Sequence, residues 1–276
     1  MAMLDDRIEY LMMVLNRGKA EMQQASSRRH LIVGNWKMNG LSAGSLELAK
    51  AVAEGARDVG PAARLVICPP FTQLAAVAKA LEGSKVQLGA QDCHQSPSGA
   101  HTGDISADML VDLDVGFVIL GHSERRQHHH ETDGLVQAKV KAAEKAGLTP
   151  IVCVGETAQQ RDEGHTLETL GEQISKSLPK DFSGVVAYEP IWAIGSGRSA
   201  SVKEIDETIS HLHDVIGRHL DVDDKSVSIL YGGSVTARDA ASILSIPAVG
   251  GVLVGGASLS AESFLGIARA ALATTA

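Results

Sequence analysis

Eight short apolar runs rich in Val and Ile recur along the chain, beginning near Leu31, Leu65, Val86, Gly116, Thr149, Gly184, Ser226 and Gly251, with stretches of helical period between them. Even the shortest distance between consecutive starts, Leu65 to Val86, leaves room for a crossover helix, so the strands are expected to run parallel. An open doubly wound sheet is the rival, but eight uniform units without a Gly-x-Gly-x-x-Gly opening favour an α/β fold closed as a single (β/α)8 barrel. No internal repeat points to a solenoid. In such a barrel the chemistry sits just past the C-terminal ends of the strands, which makes those junctions the places to read.

Composition removes other classes. At 44% hydrophobic and 21% charged, with no apolar stretch of membrane-spanning length, the 276-residue chain reads as a globular protein that neither spans a membrane nor stays disordered. Its 25 Lys and Arg against 33 Asp and Glu give a net charge of −8, which lacks the electrostatic footprint of a nucleic-acid binder and still allows one small basic pocket. Three scattered cysteines, Cys68, Cys93 and Cys153, cannot form a disulfide framework and imply a reducing, cytoplasmic compartment.

The chain divides into a head, 1–29, and a barrel domain, 30–276. In the head Leu4, Ile8, Leu11, Met12 and Leu15 recur at helical spacing, followed by the polar stretch Gln23 to Arg29. Asp5, Asp6 and Glu9 argue against a targeting presequence, and the head is expected to be an appended start, helical in part, without a catalytic role.

The first junction is Gly34-Asn35-Trp36-Lys37-Met38-Asn39-Gly40. A lysine just beyond a buried strand is costly at a barrel mouth unless an anion or carboxylate meets it; alone, it reads as a snorkelling side chain beside an Asn turn. The fourth, Gly121-His122-Ser123-Glu124-Arg125-Arg126, brings His122 out of an apolar strand toward the mouth, where a lone histidine is more often structural. In the sixth, Glu189 ends an apolar strand and Pro190 forbids continuing its ladder, so a carboxylate is delivered to the mouth. The tip that follows carries Trp192 and Ile194 between Pro190 and Arg198, a composition suited to a lid over a ligand rather than a solvated loop. The seventh and eighth junctions, Tyr231-Gly232-Gly233-Ser234 and Val254-Gly255-Gly256-Ala257-Ser258, each hold a Gly pair. One pair alone reads as a tight turn; two pairs after the last two strands of a barrel point to a backbone cradle for phosphate.

Five strings then carry a family resemblance: Gly-Asn-Trp-Lys-Met-Asn (34 to 39), Gly-His-Ser-Glu-Arg-Arg (121 to 126), Tyr-Glu-Pro-Ile-Trp-Ala-Ile-Gly-Ser-Gly (188 to 197), Tyr-Gly-Gly-Ser-Val (231 to 235) and Leu-Val-Gly-Gly-Ala-Ser-Leu (253 to 259). Together, and in this order over 31 to 276, they closely resemble the triosephosphate isomerases, whose barrel gives the TIM fold its name. The resemblance implies interconversion of dihydroxyacetone phosphate and D-glyceraldehyde 3-phosphate through an enediolate, a step of glycolysis and gluconeogenesis. It makes Glu189 the base, His122 the electrophile acting as a neutral imidazole, Lys37 the fixed positive charge and Asn35 a hydrogen-bond donor to the same oxygen. Backbone groups of Gly195, Ser234, Gly255 and Gly256 fall where the family holds phosphate, Ile194 and Leu253 would pack over Glu189, and no metal or organic cofactor is needed. Glu124 is expected to pair with Lys37, and Glu156 to bond Trp192 in the open lid rather than act as a second base.

Gln91-Asp92-Cys93-His94 and Gly99-Ala100-His101-Thr102-Gly103-Asp104 resemble the family's long third loop, which inserts into a partner subunit near Asn35 and Lys37, so a homodimer is implied. The chain departs from the pattern in several places. His101 stands for a common Phe and Asp104 for a common Glu, which alters a dimer-contact ion pair with Arg125. Ser196, Arg198 and Ser199 replace Thr, Lys and Thr in the lid, and His128-His129-His130 replace an aromatic and a glycine. Read as helix neighbours about 100° apart, those three histidines cannot converge on one metal ion. Cys153, among apolar neighbours, reads as structural. Two other functions compete: a Schiff-base aldolase, which needs a Lys inside a late strand that this chain lacks, and a non-catalytic phosphate-binding or scaffolding protein on the same barrel, which would be expected to lose Glu189, His122 or Lys37.

Overall fold

The computed structural model describes residues 29–193, 199–220 and 227–274. Residues 1–28, where a helix was expected, and the lid tip with Ile194, Gly195, Ser196 and Arg198 therefore lie outside the described residues. Eight parallel strands, β1 (His30–Asn35), β2 (Ala63–Cys68), β3 (Gln87–Ala90), β4 (Phe117–Leu120), β5 (Thr149–Val154), β6 (Val185–Tyr188), β7 (Ile229–Tyr231) and β8 (Gly251–Val254), pair in sequence order and close β8 onto β1. The expected barrel and strand order are present, with each strand starting within three residues of its expected position. Ten α-helices are found among the described residues: α1 (Ser42–Gly55), α2 (Leu74–Leu81), α3 (Ala107–Val111), α4 (Ser123–His128), α5 (Asp133–Ala146), α6 (Ala158–Asp162), α7 (Thr166–Ser177), α8 (Val202–Leu220), α9 (Ala240–Leu244) and α10 (Ala261–Ala270). No helix there is long and apolar enough to cross a membrane.

Strand alternation sorts the core into two parts. Leu31, Val33, Val66, Phe117, Ile119, Ile151, Leu230 and Leu253 belong to the cluster that fills the barrel, together with Cys68 and Cys153. Their strand neighbours face outward and pack under the helices, as Ile32, Ile67, Val118 and Val152 do. Each such side chain contributes roughly 1.5–3 kcal/mol by leaving water. The inward position on β3 is Gly89, where a Cβ would come within 2.5 Å of the Cys68 sulfur, so the glycine makes room for its neighbours' side chains.

Helix ends follow local chemistry. Ser106, Thr132, Thr157 and Ser260 accept a backbone N–H at the starts of α3, α5, α6 and α10, and Gly147 ends α5 in the left-handed conformation. The histidine run departs from its expected helical reading: His128 is the last residue of α4, while His129 lies beyond it and His130 has φ 55°. Chain reversal toward α5 takes place at a residue with positive φ, which is why a glycine suits that position.

Candidate active site

Two strands deliver polar side chains to the mouth by the alternation that packs the core. Leu31 and Val33 point inward and Asn35 continues their series; Val185 and Ala187 do the same for Glu189. Two residues beyond the inward Cys153, Leu230 and Leu253 come Gly155, Gly232 and Gly255, without side chains. A Cβ on Gly155 would lie 1.9 Å from the carbonyl oxygen of Glu189, and one on Gly232 would lie 3.0 Å from its Cγ. These glycines give Glu189 its place. Above them opens a cavity of about 370 Å³ lined by Asn35, Lys37, His122, Glu189, Gly232 to Thr236, Leu253 and Gly255 to Ala257.

Lys37 occupies this cavity at the cost of backbone strain. Its φ is 53°, unfavourable for a long side chain by roughly 1–3 kcal/mol, and the surroundings hold it there. Its N–H donates to Asn35 Oδ1 at 3.0 Å, and its carbonyl accepts from Gln91 Nε2 at 2.9 Å. The ammonium meets Glu124 Oε1 at 2.6 Å, the pair expected from the sequence. Because the Lys37 N–H takes Asn35 Oδ1, the Asn35 amide is oriented with its NH₂ as the free donor. The Gln91 clamp, which also bonds the Cys68 carbonyl at 2.8 Å, was not foreseen.

His122 caps α4, its Nδ1 accepting the Glu124 N–H at 3.2 Å. A nitrogen that accepts carries no proton, so in the neutral ring the proton is on Nε2. That nitrogen lies 2.9 Å from Glu189 Oε1, while Glu189 Oε2 accepts the Ser123 N–H at 3.0 Å. Both side chains are buried. Burial pushes the Glu189 carboxyl up, yet His122, the Ser123 N–H and Lys37 together hold its pKa below the ordinary value. Burial likewise opposes charge on His122, but the carboxylates of Glu189 and Glu124 outweigh it and hold the imidazole above its ordinary pKa.

Opposite this pair the wall is backbone. A Cβ on Gly233 would strike the Tyr231 hydroxyl at 2.1 Å, so that glycine answers to packing. Gly256 differs, since a Cβ there would meet nothing within 4 Å. The 3-10 turn Gly256–Leu259 docks on β1 through buried Ser258, whose hydroxyl lies 3.3 Å from the Asn35 carbonyl, and Gly34 lets the two segments approach. Thus Ser234, Gly255 and Gly256 share the cavity with Asn35, Lys37, His122 and Glu189; Gly195 lies outside the described residues.

Beside the cavity, Trp192 Nε1 donates to Glu156 Oε1 at 2.8 Å, as the sequence predicted, and Tyr188 OH joins them at 3.1 Å. Burial, and then the charge of Glu189, push the Cys153 thiol well above its ordinary pKa, in keeping with a structural role. Within the chain Arg125 pairs with Asp92 at 2.8 Å and Glu131 at 2.6 Å, and Asp104 lies 3.8 Å from His94 Nε2. His94, His101 and Asp104 bring potential metal-ligating atoms within 4.8 Å of one another. However, His94 Nδ1 accepts the Ser96 N–H at 3.0 Å, which puts the ring proton on Nε2 facing Asp104 and leaves no lone pair there for a metal.

A closed (β/α)8 barrel whose mouth joins a carboxylate, an imidazole, an ammonium and exposed backbone in one cavity defines an enzyme suited to proton transfer on a small anionic substrate. The family model described as triosephosphate isomerase matches residues 30–271, and the chain belongs to that family. It is 55% identical over 244 residues to the triosephosphate isomerase of Gluconacetobacter diazotrophicus, covering 88% of this chain and 99% of that protein. With the triosephosphate isomerase of Granulibacter bethesdensis the identity is 51% over 246 residues, covering 88% and 99%. The crystal structure of triosephosphate isomerase from Bartonella henselae is similar at a TM-score of 0.81 and 38% identity, over 88% of this chain and 98% of that one.

Proposed function

We propose that this chain interconverts dihydroxyacetone phosphate and D-glyceraldehyde 3-phosphate through an enediolate, with Glu189 as base and His122 as electrophile. The observation that carries the reading is the direct contact of these two groups, 2.9 Å apart, in the cavity that also holds Lys37. Glu189 removes a proton from the carbon beside the carbonyl and returns it to the neighbouring carbon. To reach that carbon its carboxylate leaves His122 and the Ser123 N–H, partners that depress its pKa, while burial continues to raise it. The same move takes from His122 the carboxylate beside it that most favours an imidazolium. Burial, the largest influence on this ring, the Lys37 ammonium and the N–H on Nδ1 then favour the neutral ring against the remaining charge of Glu124, with Nε2–H free to donate to the substrate oxygen. Reaching the base position and becoming a neutral electrophile are one event.

Lys37 supplies positive charge to a dianionic substrate and to the developing oxyanion, and Asn35 Nδ2 donates to the same oxygen. The phosphate is read as lying on backbone N–H groups of Ser234, Gly255 and Gly256, with Gly195 as a further donor from the sequence resemblance; the open space at Gly256 supports this placement. The substrate is thus a small triose phosphate, with no organic cofactor in any step. A cytoplasmic homodimer completes the reading. Three free, buried cysteines accord with a reducing compartment, and residues 91 to 106 are the segment that would meet the second copy.

The test is a coupled assay in which purified protein receives D-glyceraldehyde 3-phosphate and the dihydroxyacetone phosphate formed is reduced by a dehydrogenase at the expense of NADH. Turnover that disappears in Glu189→Gln is the expected result. A protein that binds triose phosphate without turning it over would be the non-catalytic barrel instead.

A further inference from the structure

Outside the cavity, Arg126 on α4 places a largely buried guanidinium at the point where two strands part. Pairing of β4 with β5 stops at Leu120 with Val152, and one residue further on each strand the carbonyl is taken by the same side chain. Arg126 Nε donates to the Gly121 oxygen at 2.8 Å, and Nη2 donates to the Cys153 oxygen at 3.2 Å. Nη2 also stands 3.1 Å from the hydroxyl of Ser177, the last residue of α7, and Nη1 pairs at 2.6 Å with Asp133, the first residue of α5. The Ser177 hydroxyl closes the group by donating to Asp133 Oδ1 at 2.9 Å. Every nitrogen of the guanidinium thus has an acceptor, and the acceptors come from four separate segments.

Gly121 is the residue before His122. Its φ is 64°, and a Cβ there would come 2.9 Å from Val136 and 3.0 Å from Arg126 Nη2, so a side chain has no room. Glycine imposes no conformation of its own, and the peptide joining it to His122 is free to turn unless something outside fixes the carbonyl. Arg126 Nε does so. Beyond that peptide the imidazole follows: the His122 carbonyl accepts the N–H groups of Arg125 and Arg126 at 2.8 and 3.0 Å, and His122 Nδ1 accepts that of Glu124. We propose that Arg126 is a positioning residue for the isomerisation, fixing the peptide between Gly121 and His122 against the end of β5 so that His122 Nε2 meets the substrate oxygen. The inference rests on the reading of His122 as electrophile.

Arginine suits this position for physical reasons. A planar fork with donors on three nitrogens reaches two carbonyls, a hydroxyl and a carboxylate at once, which the donors of a lysine ammonium, all on one atom, cannot span. Its charge is matched by Asp133, so no unpaired ion enters the barrel wall. Without the guanidinium the Gly121 and Cys153 carbonyls lose a donor, and the permissive peptide turns toward whatever replaces it. A misplacement of about 1 Å by a change far from the chemistry is enough to cost on the order of a hundredfold in rate, so a partial turn has a measurable effect. Gly121, Asp133, Cys153 and Ser177 all lie outside the lining of the cavity, which leaves the groups that would bind substrate untouched.

The experiment uses the full chain with Arg126→Met, with Asp133→Asn and with the two combined. In Arg126→Met kcat is expected to fall by about tenfold with KM within about twofold, because substrate contacts remain and only the placement of the electrophile is disturbed. Proton–nitrogen correlation spectra of the imidazoles should show shifted His122 resonances, identified among the 11 histidines by their absence in His122→Gln. Asp133→Asn alone should keep its kcat, since the amide oxygen still accepts from Arg126. The combined variant lacks the carboxylate that lost its partner, so Tm should recover in part while kcat stays low. A kcat that recovers together with Tm would overturn the proposal, because stability alone would then account for the loss. Wild-type kcat or unmoved His122 resonances in Arg126→Met would overturn it as well. Should Arg126→Met not fold, Arg126→Lys serves in its place, with kcat expected to fall by about threefold and the His122 resonances again shifted; wild-type kcat overturns the proposal there too. His122→Gln is assayed alongside and is expected to lose about a hundredfold or more in kcat. If it retains turnover, the electrophile reading fails and takes the inference with it, whereas an error in the inference alone leaves His122→Gln impaired and Arg126→Met at wild-type rate.

Discussion

The carboxylate of Glu189 is bonded to an imidazole and a backbone amide, and the proposed role as base requires it to exchange those partners for a carbon acid. Reach decides whether it can. Glu189→Asp withdraws the carboxylate by one methylene from a backbone fixed by the Val154 carbonyl, which the Glu189 N–H meets at 2.8 Å. Its kcat is expected to fall by more than about tenfold with KM little changed, because the interaction lost is made in the transition state. Near-normal turnover in steady-state assays of that variant would place the base elsewhere. Lys37 poses a different question, since its ammonium faces both the cavity and Glu124. Lys37→Met should raise KM and lower kcat together, as the charge acts on the substrate dianion and on the enediolate. If the kinetic constants held and only the melting temperature moved, the lysine would be a snorkelling side chain.

At the scale of elements, the turn between α4 and α5 holds a residue that strains it. His130 is exposed and has φ 55°, a conformation that glycine adopts without a Cβ clash. Relief of strain exceeds the added entropy of an unfolded glycine, so His130→Gly is expected to stabilise by up to about 1 kcal/mol, raising Tm by about 1–3 °C in a thermal melt. A lower Tm would show that this histidine makes interactions worth more than its strain. The sequence reading treated the run as helix because periodicity says nothing about where a short helix ends, although the missing glycine was visible as a departure. Strand order, the mouth residues Asn35, His122 and Glu189, and the pairs Lys37 with Glu124 and Trp192 with Glu156 were legible, since each lies at a strand end or in a quotable motif. The Gln91 clamp, the positive φ of Lys37 and the bond between Ser123 N–H and Glu189 were not. They join residues 54 and 66 positions apart, or depend on backbone torsions, and no local pattern encodes either.

At the scale of the whole molecule, the rim beside Lys37 carries the most exposed large apolar side chains among the described residues. Met38 is 95% exposed and Leu41 87%, both beside the strained Lys37, whereas large apolar side chains elsewhere are mostly buried. Next to them a groove of about 390 Å³ runs along Met38, Gln91, Glu124, Arg125, His128 and His129, sharing Asn35, Lys37 and His122 with the candidate-site cavity. The segment 95–104, exposed along most of its length, is held at its base where the His94 N–H donates to the Ile105 carbonyl at 2.8 Å. An exposed loop tied at its base and a groove on the same chain would suit an isologous pair in which each copy's loop covers the other's groove. In that arrangement Met38 would leave water and the wall behind Lys37 would become firm, which would link association to catalysis. Sedimentation equilibrium is expected to give a species of about twice the 28.9 kDa chain mass. Met38→Glu, which places a charge where the partner's loop would pack, should shift that species toward the monomer and lower kcat by about tenfold or more, with the barrel's circular dichroism retained. Full activity in a demonstrably monomeric Met38→Glu would separate the two, and the groove would then have to be explained without a second copy.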